Sequence, residues 1–148
     1  MKAKLFGCFL LILFACACDM VKDCPACMTP PKAFVFNMVD NGSGENLFTN
    51  GTFSIDDIQI KDVITQKSIE FDFIDENNLG YINLYSVGWQ TEVVNCYVYH
   101  DDDVLFTFYV DAVRKSEDCC SFTDYNAIEL EGAEFELDGS SGVYDILL

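Results

Sequence analysis

Basic residues are scarce in this chain. Eight Lys and Arg stand against 25 Asp and Glu in 148 residues, a formal net charge of −17. Neutralising phosphate takes cationic side chains, so this balance excludes nucleic acid and anionic lipid as electrostatic partners. Histidine is rarer still, with His100 alone. Multi-histidine zinc sites are thereby excluded, and a catalytic triad or general acid–base pair lacks its usual component. No serine stands in a Gly-x-Ser-x-Gly elbow, and no glycine-rich loop of the phosphate-cradling kind occurs. The three prolines all lie before residue 32. Long apolar runs are missing too: residues 5 to 15 are uncharged, but as a helix they cover about 16 Å. A bilayer core is about 30 Å thick, so this run does not span it.

The short run has another use. Met1, Lys2, Ala3 and Lys4 form a positive start, the apolar core follows, and small residues close it. That is the plan of a secretory signal peptide. Leu13-Phe14-Ala15-Cys16 resembles the lipobox of bacterial lipoproteins, in which the cysteine thiol receives diacylglycerol and becomes the first residue after cleavage. Cys16 is the expected lipid site and Cys18 the alternative. An ordinary signal peptide followed by structural cysteines is the other reading. Stable anchoring takes more than one acyl chain, which a diacylated and N-acylated cysteine supplies. The expected organisation is a signal peptide over 1–15, a Cys- and Pro-containing tether over 16–33 and one domain over 34–148.

Cleavage after residue 15 removes Lys2 and Lys4, so six basic residues face 25 acidic ones and the net charge becomes −19. Such a surface favours solubility and attracts cations or basic partners. Hydrophobic residues at 51 % and aromatics at 14 % argue for a packed core, against disorder. Beyond Cys16 lie Cys18, Cys24, Cys27, Cys96, Cys119 and Cys120. In an exported protein these are candidates for disulfides, and six thiols allow 15 pairings. Taking Cys18 as the lipid site leaves Cys24, Cys27, Cys96, Cys119 and Cys120, an odd set.

From Phe34 onward the apolar period is two. Phe34, Phe36 and Met38 alternate with Val35 and Asn37; Ile58 and Ile60 with Gln59; Ile69, Phe71 and Phe73 with Glu70 and Asp72. Ile82 and Leu84 alternate with Tyr81, Asn83 and Tyr85, and Val94, Cys96 and Val98 form an inward row. The run from Val104 to Arg114 is apolar on both faces and belongs at the centre of a sheet. Turn signals such as Asn41-Gly42, Asn77-Asn78-Leu79-Gly80, Asp101-Asp102-Asp103 and Asp138-Gly139 separate these runs. The pattern predicts an all-β fold, an antiparallel β-sandwich (Ig-like or related) of about seven to nine strands. Only residues 54 to 57 suit a helical turn.

Cys24-Pro25-Ala26-Cys27 has redox spacing, but a reactive thiol of that kind sits at a helix start, and no βαβ pattern follows here. A local disulfide, or pairing with the domain, is expected instead. If the 101–103 turn pairs residue i with 204 − i, Cys96 stands opposite Phe108. A bridge from Cys119 or Cys120 to the tether would fasten the base of the domain. Residues 75 to 86 fail as an EF-hand loop, since Leu79 and Ser86 occupy ligand positions. No metal, cofactor or catalytic residue is expected. Tyr81 and Tyr85 share one outward face, Tyr97 and Tyr99 another, and Trp89 lies in a loop. Rings with polar tips suit protein or sugar contacts, so these five are the candidate ligand-contact residues.

The lipobox, the Pro30-Pro31 tether, the ENLFTNGT stretch from Glu45 to Thr52 and the late Asp118-Cys119-Cys120 together resemble small uncharacterised Bacteroidota-type lipoproteins with a β-sandwich domain. The resemblance implies an outer-membrane or cell-surface address and supplies no catalytic residue. The expected function is a non-enzymatic binding module on a lipid anchor, with a protein or glycan partner. The alternative is a structural or inhibitory envelope lipoprotein whose acidic surface meets a basic protein.

Overall fold

In an extended strand alternate side chains point the same way, and here that places four phenylalanine rings between two sheets. The computed structural model describes residues 27–118 and 120–148. Cys16, Cys18, Cys24 and Cys119 lie outside them. The strands are β1 (Cys27–Met28), β2 (Phe34–Val39), β3 (Ile58–Asp62), β4 (Asp72–Ile74), β5 (Tyr81–Leu84), β6 (Glu92–His100), β7 (Asp103–Glu117), β8 (Cys120–Glu131), β9 (Glu134–Leu137) and β10 (Val143–Leu147). One sheet runs β1-β8-β7-β6-β3 and the other β4-β5-β2-β10-β9. The fold is the expected all-β sandwich, with ten strands among the described residues against the seven to nine expected.

β2 and β7 are the middle strands of their sheets. Phe34 and Phe36 of β2 meet Phe106 and Phe108 of β7 edge-on, with centroids 5.0 to 5.4 Å apart across the sandwich. Met38, Ile60, Ile82, Leu84, Val98, Val110 and Ile146 complete a core with no buried charged or polar residue among the described ones. As expected, the run from Val104 is central and Cys96 pairs with Phe108; a bulge after Val98 then shifts the register. The turn at 54–57 is a short 3-10 helix, Ile55–Asp57, whose Ser54 side chain accepts from the Asp56 N–H.

Three expectations need correction. Two pairings are parallel, β1 with β8 and β2 with β10. Short turns force antiparallel neighbours only between consecutive strands, and these pairs are distant in the chain. The alternation from Ile69 to Phe73 yields a strand only at Asp72–Ile74. Ile69 and Phe71 instead pack on the core from a loop, with Ser68 bridged to Lys61.

The segment expected as a tether is, from Cys27 onward, part of the body. Cys27 and Cys120 form a disulfide at a Cα–Cα distance of 4.5 Å. Thr29 O accepts from the Arg114 guanidinium at 3.0 Å, and Lys32 N–H donates to Tyr125 Oη at 2.9 Å. The Lys32 ammonium donates to Tyr144 Oη at 2.9 Å. The same Arg114 donates to Thr123 Oγ1, which donates to Gly88 O at 2.7 Å. Gly88 has φ +92°, and a Cβ there would lie 2.8 Å from Tyr125 Oη, so only glycine lets the loop come this close.

One turn design recurs three times. In 40–45, 62–67 and 138–143 an aspartate carboxylate accepts from a hydroxyl three residues on, Ser43, Thr65 or Ser141. The aspartate carbonyl accepts from the N–H four residues on, and that residue has positive φ: Gly44, Gln66 or Gly142. These bonds hold the carboxyls of Asp40, Asp62 and Asp138 below the ordinary 3.8, Asp138 at about 2. Glycine suits the left-handed position, whereas Gln66 sits there with a side chain. Gln66→Gly is expected to raise stability by about 0.5 kcal/mol. Gly142→Ala, with open space around it, is expected to lower stability by about 1 kcal/mol. Urea midpoints of the two variants check the pair, and equal shifts in either direction would contradict it.

Candidate functional site

The inner faces are filled with apolar side chains, so polar chemistry is left to the outer faces and the ends. The five aromatics singled out from the sequence divide between them. Tyr81 and Tyr85 face outward from the β5 sheet, while Tyr97 and Tyr99 face outward from β6 on the opposite side. Trp89 lies in the β5–β6 loop, where its indole N–H donates to Tyr85 O at 3.1 Å and the Arg114 guanidinium lies 5.7 Å from its ring. Tyr85 and Trp89 are exposed together. The five do not form one patch, because alternation separates faces but does not say which sheet a strand joins.

The outer face of β6, β7 and β8 holds the more developed arrangement. Tyr97 and Tyr99 pack edge-on at 5.9 Å, and the Lys61 ammonium lies 5.3 Å from the Tyr99 ring. In the register Lys61, Tyr97, Thr107 and Glu131 form one row across four strands, and Asn95, Tyr109 and Glu129 the next. Between the rows lies a depression of about 200 Å³ lined by Asn95, Thr107, Tyr109, Glu129 and Glu131. The Oδ1 of Asn95 is buried and has no hydrogen-bond partner. A buried unpaired acceptor calls for a donor. Two carboxylates, an amide, a threonine hydroxyl and a tyrosine together suit a ligand rich in donors: a hydroxylated ring against tyrosine, or an ammonium group. Tyr109 and Asn95 were missed in the sequence because β7 is apolar on both faces, which masks its one outward tyrosine. The signal was available in the 204 − i pairing, which sets Asn95 beside Tyr109.

The other candidates are structural. His100 stacks on Phe53 at 4.0 Å between centroids, with Nδ1 3.9 Å from Asp101 Oδ2. Asp101 takes a positive φ and donates its N–H to Asp57 O at 2.7 Å, as a turn residue. Among the described residues no three His, Cys, Asp or Glu gather as a metal group. Cys27 of the redox-spaced pair lies in a strand and is bonded to Cys120, as pairing with the domain required. Cys96, a candidate for a disulfide, is instead a free thiol buried in the core. Compared with known proteins, the chain matches no family model, no curated protein and no solved structure.

Burial, with the Asp62 charge as a smaller contribution, pushes the Cys96 thiol from its ordinary 9.0 up to about 12. The folded state therefore keeps the proton that the unfolded chain releases. Stability from this group is full below pH 9.0 and is lost as pH rises toward about 12. A Cys96→Ala variant is expected to lose less stability than the parent protein between pH 8 and pH 10.5. Parallel urea titrations at the two pH values check this, and identical slopes would contradict it.

Proposed function

We propose that this chain is a lipoprotein, lipidated at Cys16 or Cys18, that displays a non-enzymatic β-sandwich binding module at the bacterial outer membrane or cell surface. The lipobox-like sequence and the resemblance to Bacteroidota-type lipoproteins support the address. The depression formed by Asn95, Thr107, Tyr109, Glu129 and Glu131 carries the binding reading, because its lining pairs an aromatic ring with unsatisfied acceptor capacity. A protein or glycan presenting several donors is the partner class it fits. The disulfide of Cys27 to Cys120 ties the base of the module to the segment that leads to the lipid.

One observation favours the second reading, a structural or inhibitory lipoprotein that acts on a basic protein. Glu129 and Glu131 on the outer face of β8 and Glu134 and Glu136 on the outer face of β9 flank the short turn that joins these two strands. Their combined field attracts cations over roughly a Debye length, about 8 Å at physiological salt.

Radiolabelled fatty acid is expected to enter the parent protein in its native host and to be lost in Cys16→Ser or in Cys18→Ser. Labelling of neither the parent nor the variants would remove the address. Capture of native envelope components by the immobilised protein, read by mass spectrometry and glycan arrays, is expected to fall about tenfold in Tyr109→Ala. Unchanged capture in that variant would move the site elsewhere, and absence of capture by the parent would remove the binding reading.

A further inference from the structure

The two long sides of the sandwich are finished differently. At the β3 edge, Ile69 N–H donates to Ile60 O at 2.8 Å, and Ile69 and Phe71 cover the core from outside the sheet. No segment does the same at the β8–β9 side among the described residues. Among the described residues β1 pairs with β8 only at Cys120 and Ser121, and no other strand pairs with the edge of β8 beyond Thr123. β9 is the outermost strand of its sheet, and all four of its residues are exposed.

The register identifies what is left uncovered. Phe135 and Leu137 stand beside Ile146 and Tyr144, which point into the core, so they share that direction. Ile128 stands beside the buried Val110 and likewise faces inward. Yet Ile128, Phe135 and Leu137 are 36 %, 44 % and 48 % exposed. These are core-directed side chains with no strand over them among the described residues. On the outer face of β9 Glu134 and Glu136 alternate with Phe135 and Leu137, while Glu129 and Glu131 of β8 face the tyrosine-lined depression of the other sheet.

We propose that this side receives an extended cationic segment of a partner protein, in which apolar residues alternate with Lys or Arg. It adds as a strand to the free edge of β9, opposite the free edge of β8. Backbone hydrogen bonds supply affinity, as in other strand-addition complexes. The apolar residues enter the inter-sheet space against Ile128, Phe135 and Leu137, and the basic residues meet Glu134 and Glu136 on the outer face of β9. Charge decides the occupant. A second copy pairing edge to edge would set Glu134 and Glu136 against their own counterparts, which is unfavourable. Position agrees. β1 runs parallel to β8 with Cys27 opposite Cys120, so the chain joins the sandwich at the start of β8. The open side lies toward the far end of β8, Glu131, about 36 Å along the strand at about 3.3 Å per residue. The inference rests on the interaction-module reading but uses a different surface from the tyrosine face.

The test uses the full-length lipoprotein in detergent micelles and a synthetic ten-residue peptide of alternating valine and lysine. A scrambled peptide of the same composition and an alternating valine–glutamate peptide serve as controls. Fluorescence anisotropy is expected to show binding of the valine–lysine peptide alone, and hydrogen exchange to show new protection at 128–137. Phe135→Asp is expected to weaken binding by about tenfold or more. The paired Glu134→Lys and Glu136→Lys change, which keeps the apolar surface, is expected to weaken it similarly without lowering the melting temperature. Equal binding of the scrambled peptide, protection elsewhere, no binding at all, or full binding by both variants would overturn the inference. So would protection of the same amides by self-association or by lipid vesicles. Envelope capture that survives Phe135→Asp but not Tyr109→Ala leaves the module reading standing while this inference falls; loss of capture by the parent removes both.

Discussion

Phe36 touches Phe106 and Phe108 at once, and the rest of the sandwich is arranged around that contact. It joins the middle strand of one sheet to the middle strand of the other. Each buried phenylalanine contributes about 2 to 3 kcal/mol by transfer from water, and each edge-on ring pair about 0.5 to 1.5 kcal/mol more. With β2 fixed at the centre, its two flanks must both be covered. β5 covers one flank in the antiparallel sense and the C-terminal β10 covers the other in the parallel sense. The chain therefore closes on itself only after its last strand is made. Much of the fold rests on long-range pairing, and such topologies fold slowly because loops must close before contacts repay them.

Filling the interior with rings and aliphatic groups leaves the acid to the surface, and the surface does not use it uniformly. Asp40, Asp62 and Asp138 accept hydrogen bonds from their own turns and have lowered pKa values as a result. Their carboxylates stay charged into mild acid because donors already hold the anion. Asp145 and Lys115 bind neighbours, accepting from Asn37 and pairing with Asp124. The glutamates of β8 and β9 have no hydrogen-bonded partner of this kind among the described contacts. A charge engaged in its own fold contributes little to a partner, whereas an unengaged row on a strand edge is available to one.

Periodicity made the inner faces legible. Phe34, Phe36, Ile58, Ile60, Ile82, Leu84, Cys96 and Val98 were all assigned inward and all lie in the core. The central place of β7 and the pairing of Cys96 with Phe108 were also readable, because a short turn and a two-residue period leave few registers. What periodicity cannot convey is which sheet a strand joins, so Tyr81 and Tyr97 could not be placed on opposite sides of the molecule. Nor could it distinguish Ile69 and Phe71, which cap an edge from a loop, from residues in a ladder. The ENLFTNGT stretch carried a structural message that composition hides. Asn46 accepts from the N–H groups of Phe48 and Thr49 while donating to Asn37 and to the carbonyls of Leu79 and Gly80. One amide thus joins three segments, and only the folded geometry shows that they meet.

The way the chain enters the sandwich decides how a load on its N-terminal side is carried. Pulling on residue 27 would load β1, a two-residue strand that alone holds little force. The bond to Cys120 transfers that load directly to β8, which is paired with β7 over eleven register positions. Thr29 and Lys32 then lock the following turn onto Arg114, Tyr125 and Tyr144. In chain-entropy terms, closing a loop of 93 residues also disfavours the unfolded state by about 4 to 5 kcal/mol. The covalent tie therefore sits at the start of β8, and the uncovered apolar row lies toward its far end. A domain held rigidly at one end of a long strand also has the orientation of its other end fixed.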